Sequence, residues 1–179
     1  MSKNYAVVRT DNMSGTDDRS QLVSIRYMGD DGETPTAIEN GNVLLVKKPI
    51  QNADNSYQRE IRVGAKPAAN SPLNEIVLIA TPELLYDERL KALDDFRNEA
   101  DGAPCRGYRL HNGDQFSVTK GALDGKATPA VGDVVELKAA TKLNVAASLT
   151  ASSTQVGIIT GIETVGPYTY YCVTVGETA

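Results

Sequence analysis

The fold is decided by a pattern that occurs three times in the chain: Asn40-Gly41-Asn42-Val43-Leu44-Leu45-Val46, Asn112-Gly113-Asp114-Gln115-Phe116-Ser117-Val118 and Val131-Gly132-Asp133-Val134-Val135-Glu136-Leu137. In each stretch a glycine precedes Asp or Asn, and a run rich in apolar and β-branched residues follows. Glycine adopts positive φ without steric cost, and the short Asx side chain can bond to neighbouring backbone groups, so the pair favours a tight turn that begins a strand. The pattern predicts a chain of strands that start at turns. It supplies no nucleophile, base or metal ligand.

Other segments between turns also have strand character. Residues 22–27 alternate between two faces, as a half-buried strand does. The continuous apolar run from Ile76 to Ala80 is suited to a strand that is covered on both faces. The remaining predicted strands lie at 5–10, 36–46, 57–63, 107–110, 143–147, 155–163 and 168–175.

One α-helix is predicted to begin at Thr81, which is a good N-cap, with Pro82 at the first helical position. The helical pattern fades near Asn98. Its apolar residues recur at roughly helical spacing: Leu85, Tyr86, Leu90, Leu93 and Phe96. We expect this helix to cover the sheet rather than to bind a partner.

The predicted fold is therefore mainly β with one α-helix, built from small β-barrel or β-sandwich units of the OB or SH3-like kind. Residues 67–72 contain two prolines and small residues without periodicity, which is typical of a linker. We expect an N-terminal arm and β unit in residues 1–66 and a helix-containing barrel unit in residues 73–179. The two units could also pack as one domain.

Composition excludes several classes of function. The net charge of −5 and the pI of about 4.9 argue against nucleic-acid binding, since the basic residues are scattered and Lys47-Lys48 is the one lysine pair. No apolar window approaches the length of a membrane span, and the N-terminus lacks the apolar core of a signal peptide, so we expect residence in a cytoplasm. Cys105 and Cys172 are expected to be reduced thiols, without a zinc motif or a cofactor.

The sequence offers little chemistry for catalysis. The single histidine, His111, lies near Asp114 beside a predicted turn, where a capping or surface role is the expected one. No activated serine or cysteine motif accompanies the pair, so we expect no enzyme. A hydrolase built around His111 and Asp114 is the weakest alternative.

Two further groups of residues have a structural and a functional interpretation. The acidic pairs at 17–18, 30–31 and 94–95 could form an acid and base, but solvated charge is the expected state, and the acidic segment 11–18 lacks calcium-loop spacing. Tyr168, Tyr170 and Tyr171 could stack on bases, but the acidic charge of the chain opposes that role and β propensity already explains them.

Five stretches carry a resemblance to a known family: Asn4-Tyr5-Ala6-Val7-Val8-Arg9-Thr10, Glu75-Ile76-Val77-Leu78-Ile79-Ala80-Thr81-Pro82-Glu83, Arg106-Gly107-Tyr108-Arg109-Leu110-His111-Asn112-Gly113-Asp114, Ala130-Val131-Gly132-Asp133-Val134-Val135 and Tyr168-Thr169-Tyr170-Tyr171. In these stretches the chain resembles the head decoration, or cement, proteins of tailed bacteriophages. The resemblance implies a β-rich protein on the outside of the virion, made in the cytoplasm of the bacterial host. It implies the major capsid protein as partner and a homotrimer at local threefold positions.

A contact with a neighbouring subunit is expected at the N-terminal segment. The six residues of this arm have strand character and precede a polar segment: Tyr5, Ala6, Val7, Val8, Arg9 and Thr10. We expect the arm to pair with another chain by strand addition. The alternative to a decoration protein is a structural component of the phage tail or neck.

Overall fold

The computed structural model describes residues 4–9, 22–83 and 92–178. Within these ranges the chain is mainly β, as predicted, with three single-turn 3₁₀ helices at Leu73–Glu75, Leu93–Asp95 and Lys120–Ala122. The strands, in chain order, are Val8–Arg9 (β1), Leu22–Tyr27 (β2), Val43–Gln51 (β3), Tyr57–Ala65 (β4), Ile76–Ile79 (β5), Cys105–Arg109 (β6), Gln115–Thr119 (β7), Leu123–Gly125 (β8), Val134–Glu136 (β9), Leu143–Ala146 (β10), Gln155–Val165 (β11) and Tyr168–Val175 (β12).

All three Gly-Asx stretches start strands, which confirms the pattern. Gly41, Gly113 and Gly132 have φ of 80°, 93° and 91°, and β3, β7 and β9 each begin two residues after the glycine. A turn that needs positive φ at its third position is the reason for glycine there. Asp114 and Asp133 each accept a hydrogen bond from the backbone N–H three residues earlier, at 2.8 and 2.7 Å, which closes the turn before the strand leaves it.

The described strands form two sheets. β2, β4, β3, β5 and β6 close into a five-stranded barrel in that order, and the pair β2–β4 is parallel while its other pairs are antiparallel. The other sheet has the order β1-β7-β12-β11-β9-β10-β8. The barrel strands come from both sides of residues 67–72, and the division of the chain into two units stays a prediction.

Two apolar cores lie on opposite faces of β5. Ile76 and Leu78 belong to the larger core, to which both the barrel and the seven-stranded sheet contribute. Val77 and Ile79 belong to the smaller core, which fills the barrel. None of these four side chains is accessible to solvent, so the prediction of a strand covered on both faces is confirmed.

The predicted α-helix is not confirmed. Residues 84–91 lie outside the described ranges, and the flanking residues 81–83 and 92–98 contain no α-helix. The Thr81 hydroxyl, predicted to cap the helix, instead accepts a hydrogen bond from the Arg106 N–H at 3.1 Å. At the other end Phe96 is extended and Asn98 forms an antiparallel bridge with Ile38, so pairing to the barrel replaces the helical turn expected there.

The barrel interior is so narrow that it requires two glycines. A Cβ on Gly64 would lie 2.7 Å from Leu44 Cδ1, and one on Gly107 would lie 2.9 Å from Val77 Cγ2. Ile25 lies against both positions. The three apolar side chains therefore fill the space that the glycines leave open.

We expect Gly64→Ala and Gly107→Ala each to lower the free energy of unfolding by about 1–3 kcal/mol, because the added methyl overpacks a filled interior. Chemical denaturation measures the change. Gly161→Ala is the matched control, since its Cβ would meet nothing closer than 3.7 Å. Equal stabilities for the three variants would contradict the packing described.

Candidate functional surfaces

The N-terminal arm pairs with its own chain. β1 lies at one edge of the seven-stranded sheet and runs antiparallel to β7, with Val8 opposite Val118 and Arg9 opposite Ser117. The side chains of Ala6, Val7 and Val8 are buried. Thr10 lies outside the described residues. The structure holds a single chain, so pairing of the arm with another chain stays a prediction.

Several contacts outside the sheet hold the start of the arm. The Tyr5 N–H donates to the Asp94 carbonyl at 2.9 Å, and the Ala6 N–H donates to Glu39 at 3.3 Å. The guanidinium of Arg97 lies 5.3 Å from the centre of the Tyr5 ring. These contacts of Tyr5 and Ala6 therefore fix the direction in which the arm enters the sheet.

Arg9 joins the arm to the end of the β11–β12 hairpin. Its guanidinium lies 2.6 Å from a carboxylate oxygen of Glu163 and 5.7 Å from the centre of the Tyr170 ring. Beside Glu163, Ile162 and Val165 are 44% and 50% exposed and point to opposite faces of the hairpin. We call residues 5–9 and 162–170 the arm–hairpin surface.

The tyrosines of β12 do not form a base-stacking platform. Tyr170 is only 3% exposed, and Tyr171 lies on the opposite face of the strand against the larger core. Tyr168 donates a hydrogen bond from its hydroxyl to Asp94 at 2.9 Å. Burial, followed by this hydrogen bond, raises the pKa of Tyr168 above its usual value. A groove of about 550 Å³ lies beside Tyr5 and Tyr168, but two half-buried rings on separate segments give no continuous stacking track.

His111 and Asp114 form part of a turn. Asp114 accepts a hydrogen bond from the His111 backbone N–H at 2.8 Å, while the imidazole Nδ1 lies 3.7 Å from the same carboxylate oxygen. The His111 side chain is 49% exposed. The Asp114 carboxylate therefore caps the turn, and the His111 side chain lies at the surface, which is one of the two roles predicted for it.

The acidic pairs within the described residues also close turns. Asp31 accepts hydrogen bonds from the Thr34 side chain and from the backbone N–H groups of Thr34 and Glu33, which lower its pKa to about 2. Asp95 accepts from the Ala92 N–H at 3.2 Å. The pair at 17–18 lies outside the described ranges. Among the described residues no group of three or more His, Cys, Asp or Glu side chains could hold a metal ion.

The two cysteines differ in environment. Cys105 is buried, and burial raises the pKa of its thiol to about 11, so it stays protonated at neutral pH. Cys172 is half-buried, and its sulfur accepts a hydrogen bond from the Ser117 hydroxyl at 3.2 Å. Both thiols are free.

Glu136 is a buried carboxylate that the sequence does not single out. It is 2% exposed and accepts hydrogen bonds from Asn144 Nδ2 at 2.7 Å, from Thr150 Oγ1 at 2.6 Å and from the Thr150 N–H at 2.7 Å. Burial opposes its ionisation, but the hydrogen bonds from Thr150 and Asn144 outweigh burial and hold the pKa of Glu136 below its usual value. The ionised group therefore ties the loop after β10 to β9.

A depression of about 400 Å³ gathers four basic side chains on the barrel. Lys47 and Lys48 of β3 are exposed, and Arg62 of β4 and Arg109 of β6 are half-buried. The carboxylate of Glu75 and the side chain of Val46 complete the lining. We call this site, formed by Val46, Lys47, Lys48, Arg62, Glu75 and Arg109, the basic depression.

The basic depression cannot be recognised along the chain, because its cations come from three strands. Only the pair Lys47-Lys48 was visible along the chain, and the other basic residues were interpreted as scattered. Arg62 lies opposite Pro49 in the β3–β4 pair, and Arg109 lies opposite Val77 in the β5–β6 pair. The pairing of the barrel strands brings the four cations together.

The fold and these surfaces define a mainly β protein in which a closed five-stranded barrel packs on a seven-stranded sheet, within the ranges described. No protein-family model, no curated protein and no solved structure matches the chain. Among the described residues no helix is long and apolar enough to cross a bilayer.

The hydrogen bonds of Glu136 give stability a definite pH dependence. Because its folded pKa is depressed, the ionised carboxylate stabilises the fold above its ordinary pKa of 4.5, and this contribution is lost as the pH falls through the folded value. We expect Glu136→Gln to lower the free energy of unfolding by about 1–3 kcal/mol at neutral pH. Denaturation at neutral pH and near pH 3 measures the difference, which should shrink in acid.

Glu60→Gln, at an exposed position of β4, is the matched control and should change stability little at either pH. A Glu136→Gln penalty that is the same in acid as at neutral pH would contradict the assignment.

Substitution of Val8 tests whether the arm packs on its own chain. Val8 is 5% exposed and Val131 is 61% exposed, so the two valines differ chiefly in burial. We expect Val8→Ala to lower the free energy of unfolding by about 1–2 kcal/mol, because it removes buried methyl groups. Val131→Ala should have almost no effect. If the two substitutions had equal effects in thermal or chemical denaturation, the arm would not pack in the way described.

Proposed function

We propose that this protein is a non-enzymatic structural component of a bacteriophage virion that binds the outer surface of the capsid and stabilises the lattice. Its partners are the major capsid protein and copies of itself, arranged as a homotrimer. The proposal begins from the resemblance of five stretches of the chain to head decoration proteins. It places the protein on the exterior of the virion after synthesis in the bacterial cytoplasm.

The arm–hairpin surface is the observation that carries the proposal. It combines an edge strand with the exposed apolar side chains of Ile162 and Val165, and the Arg9–Glu163 ion pair connects the two parts. Two strands, β7 and β12, lie between β1 and β11, and the Arg9–Glu163 pair spans them. An edge strand can pair with a strand of a neighbour, and the apolar side chains exposed on the hairpin add a separate contact area. A protein that works through contact needs such a surface and no reacting group.

The hydrogen bonds made by the buried polar side chains support a structural role. The buried carboxylates of Asp133 and Glu136 bind backbone N–H groups at 2.7 Å, and they hold the turn before β9 and the loop after β10. Asn40 bridges separate segments, since its amide accepts from the Thr81 N–H and donates to the Thr81 carbonyl. These side chains stabilise the fold.

We propose that the barrel is of the OB or SH3-like kind, since its five strands close on one another. Many such barrels bind oligonucleotides, but the net charge of −5 opposes a phosphate backbone. The barrel is better suited to a rigid support that holds the seven-stranded sheet in position.

Size measurement separates the proposal from its alternative. We expect size-exclusion chromatography with light scattering to give a discrete species of three times the 19.2 kDa chain mass. Rings or open polymers would favour a tail or neck component instead. Ile162→Glu with Val165→Glu should weaken the trimer, because charges would be buried in the contact. Val131→Glu, at a site that is equally exposed but away from the hairpin, is the matched control.

Binding to particles tests the arm directly. We expect the full chain to cosediment with capsids assembled from the major capsid protein of the same phage, and a chain that lacks residues 1–12 to lose most of that binding. Circular dichroism of the shortened chain, measured beside Val8→Ala, separates lost binding from lost folding. Unchanged cosedimentation of a folded, shortened chain would contradict a role for the arm.

A further inference from the structure

The shape of β3 projects two lysines into the basic depression. Val46 lies opposite Gly64 and Pro49 lies opposite Arg62. An advance of three residues along β3 therefore corresponds to an advance of two residues along β4. This extra residue is a β-bulge, which turns side chains out of the regular alternation. Pro49 has no N–H to give to a ladder, which favours the irregularity at this point.

The barrel also opens at the basic depression. β3 pairs with β5 only from Val43 to Leu45, and beyond Leu45 it pairs with β4 alone. The depression lies where β3 leaves β5, with Glu75 immediately before β5 and Arg109 at the end of β6. It is therefore a concave site on rigid strands.

The four cations of the basic depression form no ion pair with another described residue. Elsewhere, Lys66 pairs with Asp30, Arg97 with Glu99 and Lys126 with Asp133, at 3.0, 2.8 and 2.8 Å. None of the ion pairs formed within the described ranges involves Lys47, Lys48, Arg62 or Arg109.

Arg109 donates to the carbonyl of Asn74 at 3.0 Å, which fixes its guanidinium but leaves its charge uncompensated. Four positive charges thus face one carboxylate, Glu75, in a chain whose net charge is −5. Their mutual repulsion is relieved when an anion enters the site.

We propose that the basic depression binds an acidic segment of a partner protein, with neighbouring Asp or Glu side chains pairing with Arg62, Arg109 and the two lysines. Guanidinium groups bind carboxylates in a bidentate manner. The lysine ammonium groups also attract carboxylates, but they do not require one fixed orientation of the ligand. Val46 offers an apolar contact for the methylene groups of such side chains. This inference is independent of the capsid proposal.

A carboxylate ligand fits the site better than a phosphate does. The charged donors are side chains on strands, without the helix N-terminus or the glycine-rich backbone cradle that typically surrounds a phosphate. Glu75 at the rim would repel a doubly charged group more strongly than a carboxylate. A nucleic acid would need a row of cations along its backbone, whereas these four are confined to one depression.

The test measures binding of a fluorescent oligoglutamate peptide to the full chain by anisotropy at low ionic strength. We expect saturable binding that weakens as salt approaches about 0.15 M, because the charges are partly exposed. Lys47→Gln with Lys48→Gln should weaken binding by about fivefold, and Arg62→Gln should weaken it further. An oligoglutamine peptide of the same length should not bind.

Arg106→Gln with Lys138→Gln is the matched control, because it removes two exposed positive charges outside the depression. It should leave binding of oligoglutamate almost unchanged. Thermal denaturation of each variant verifies that it is folded, and the lysine substitutions lie at exposed positions where folding should persist.

Three results would overturn the proposal. The first is no saturable binding of oligoglutamate by the folded protein. The second is equal loss of binding in the control and in the lysine variant. That result would indicate that binding of oligoglutamate depends on the net charge of the protein and not on the depression. The third is preferential binding of inorganic phosphate or of a single-stranded oligonucleotide in competition, which would assign the depression to a phosphate ligand.

Discussion

The burial of β5 on both faces is the constraint on which the rest of the structure depends. Ile76 and Leu78 face one core while Val77 and Ile79 face the other, so a four-residue strand contributes to both. A strand with one polar face could not occupy this place, because its polar side chains would lie unpaired in one core. The barrel and the seven-stranded sheet consequently share a wall, and a change of volume on either side of it is transmitted to the other.

Outside that wall, the chain uses its polar groups to set where strands begin and end. The carboxylates of Asp114 and Asp133 close the turns before β7 and β9, and Glu136 holds the loop that follows β10. Each of these carboxylates accepts a hydrogen bond from a backbone N–H group and so stabilises a turn or a loop.

Local signals predicted the parts of the fold that local physics controls. The positive φ of Gly41, Gly113 and Gly132 and the double burial of β5 followed from single stretches of sequence. The helix expected from Thr81 was not found in the described flanks, because Thr81 and Asn98 bond to distant segments that no periodicity reveals. The basic depression was missed for the same reason, as Arg62 and Arg109 meet the lysines only after the barrel has closed. The spacing of residue types along the chain predicts the local structure that a segment favours by itself. The pairing of distant strands determines which segments meet in the folded protein.

The order of the barrel strands has a consequence for the time course of folding. β2 closes the barrel against β6, where Leu22 lies opposite Tyr108, and β1 finds its partner only in β7, where Val8 lies opposite Val118. During synthesis β2 can pair early with β4, but the barrel cannot close before β6 has left the ribosome, and β1 cannot pair before β7 has. Pairings of such long separation close slowly, on a scale of about milliseconds to seconds. Until then the apolar run of β5 lacks a cover on both faces, and this interval is when the nascent chain is most exposed to aggregation.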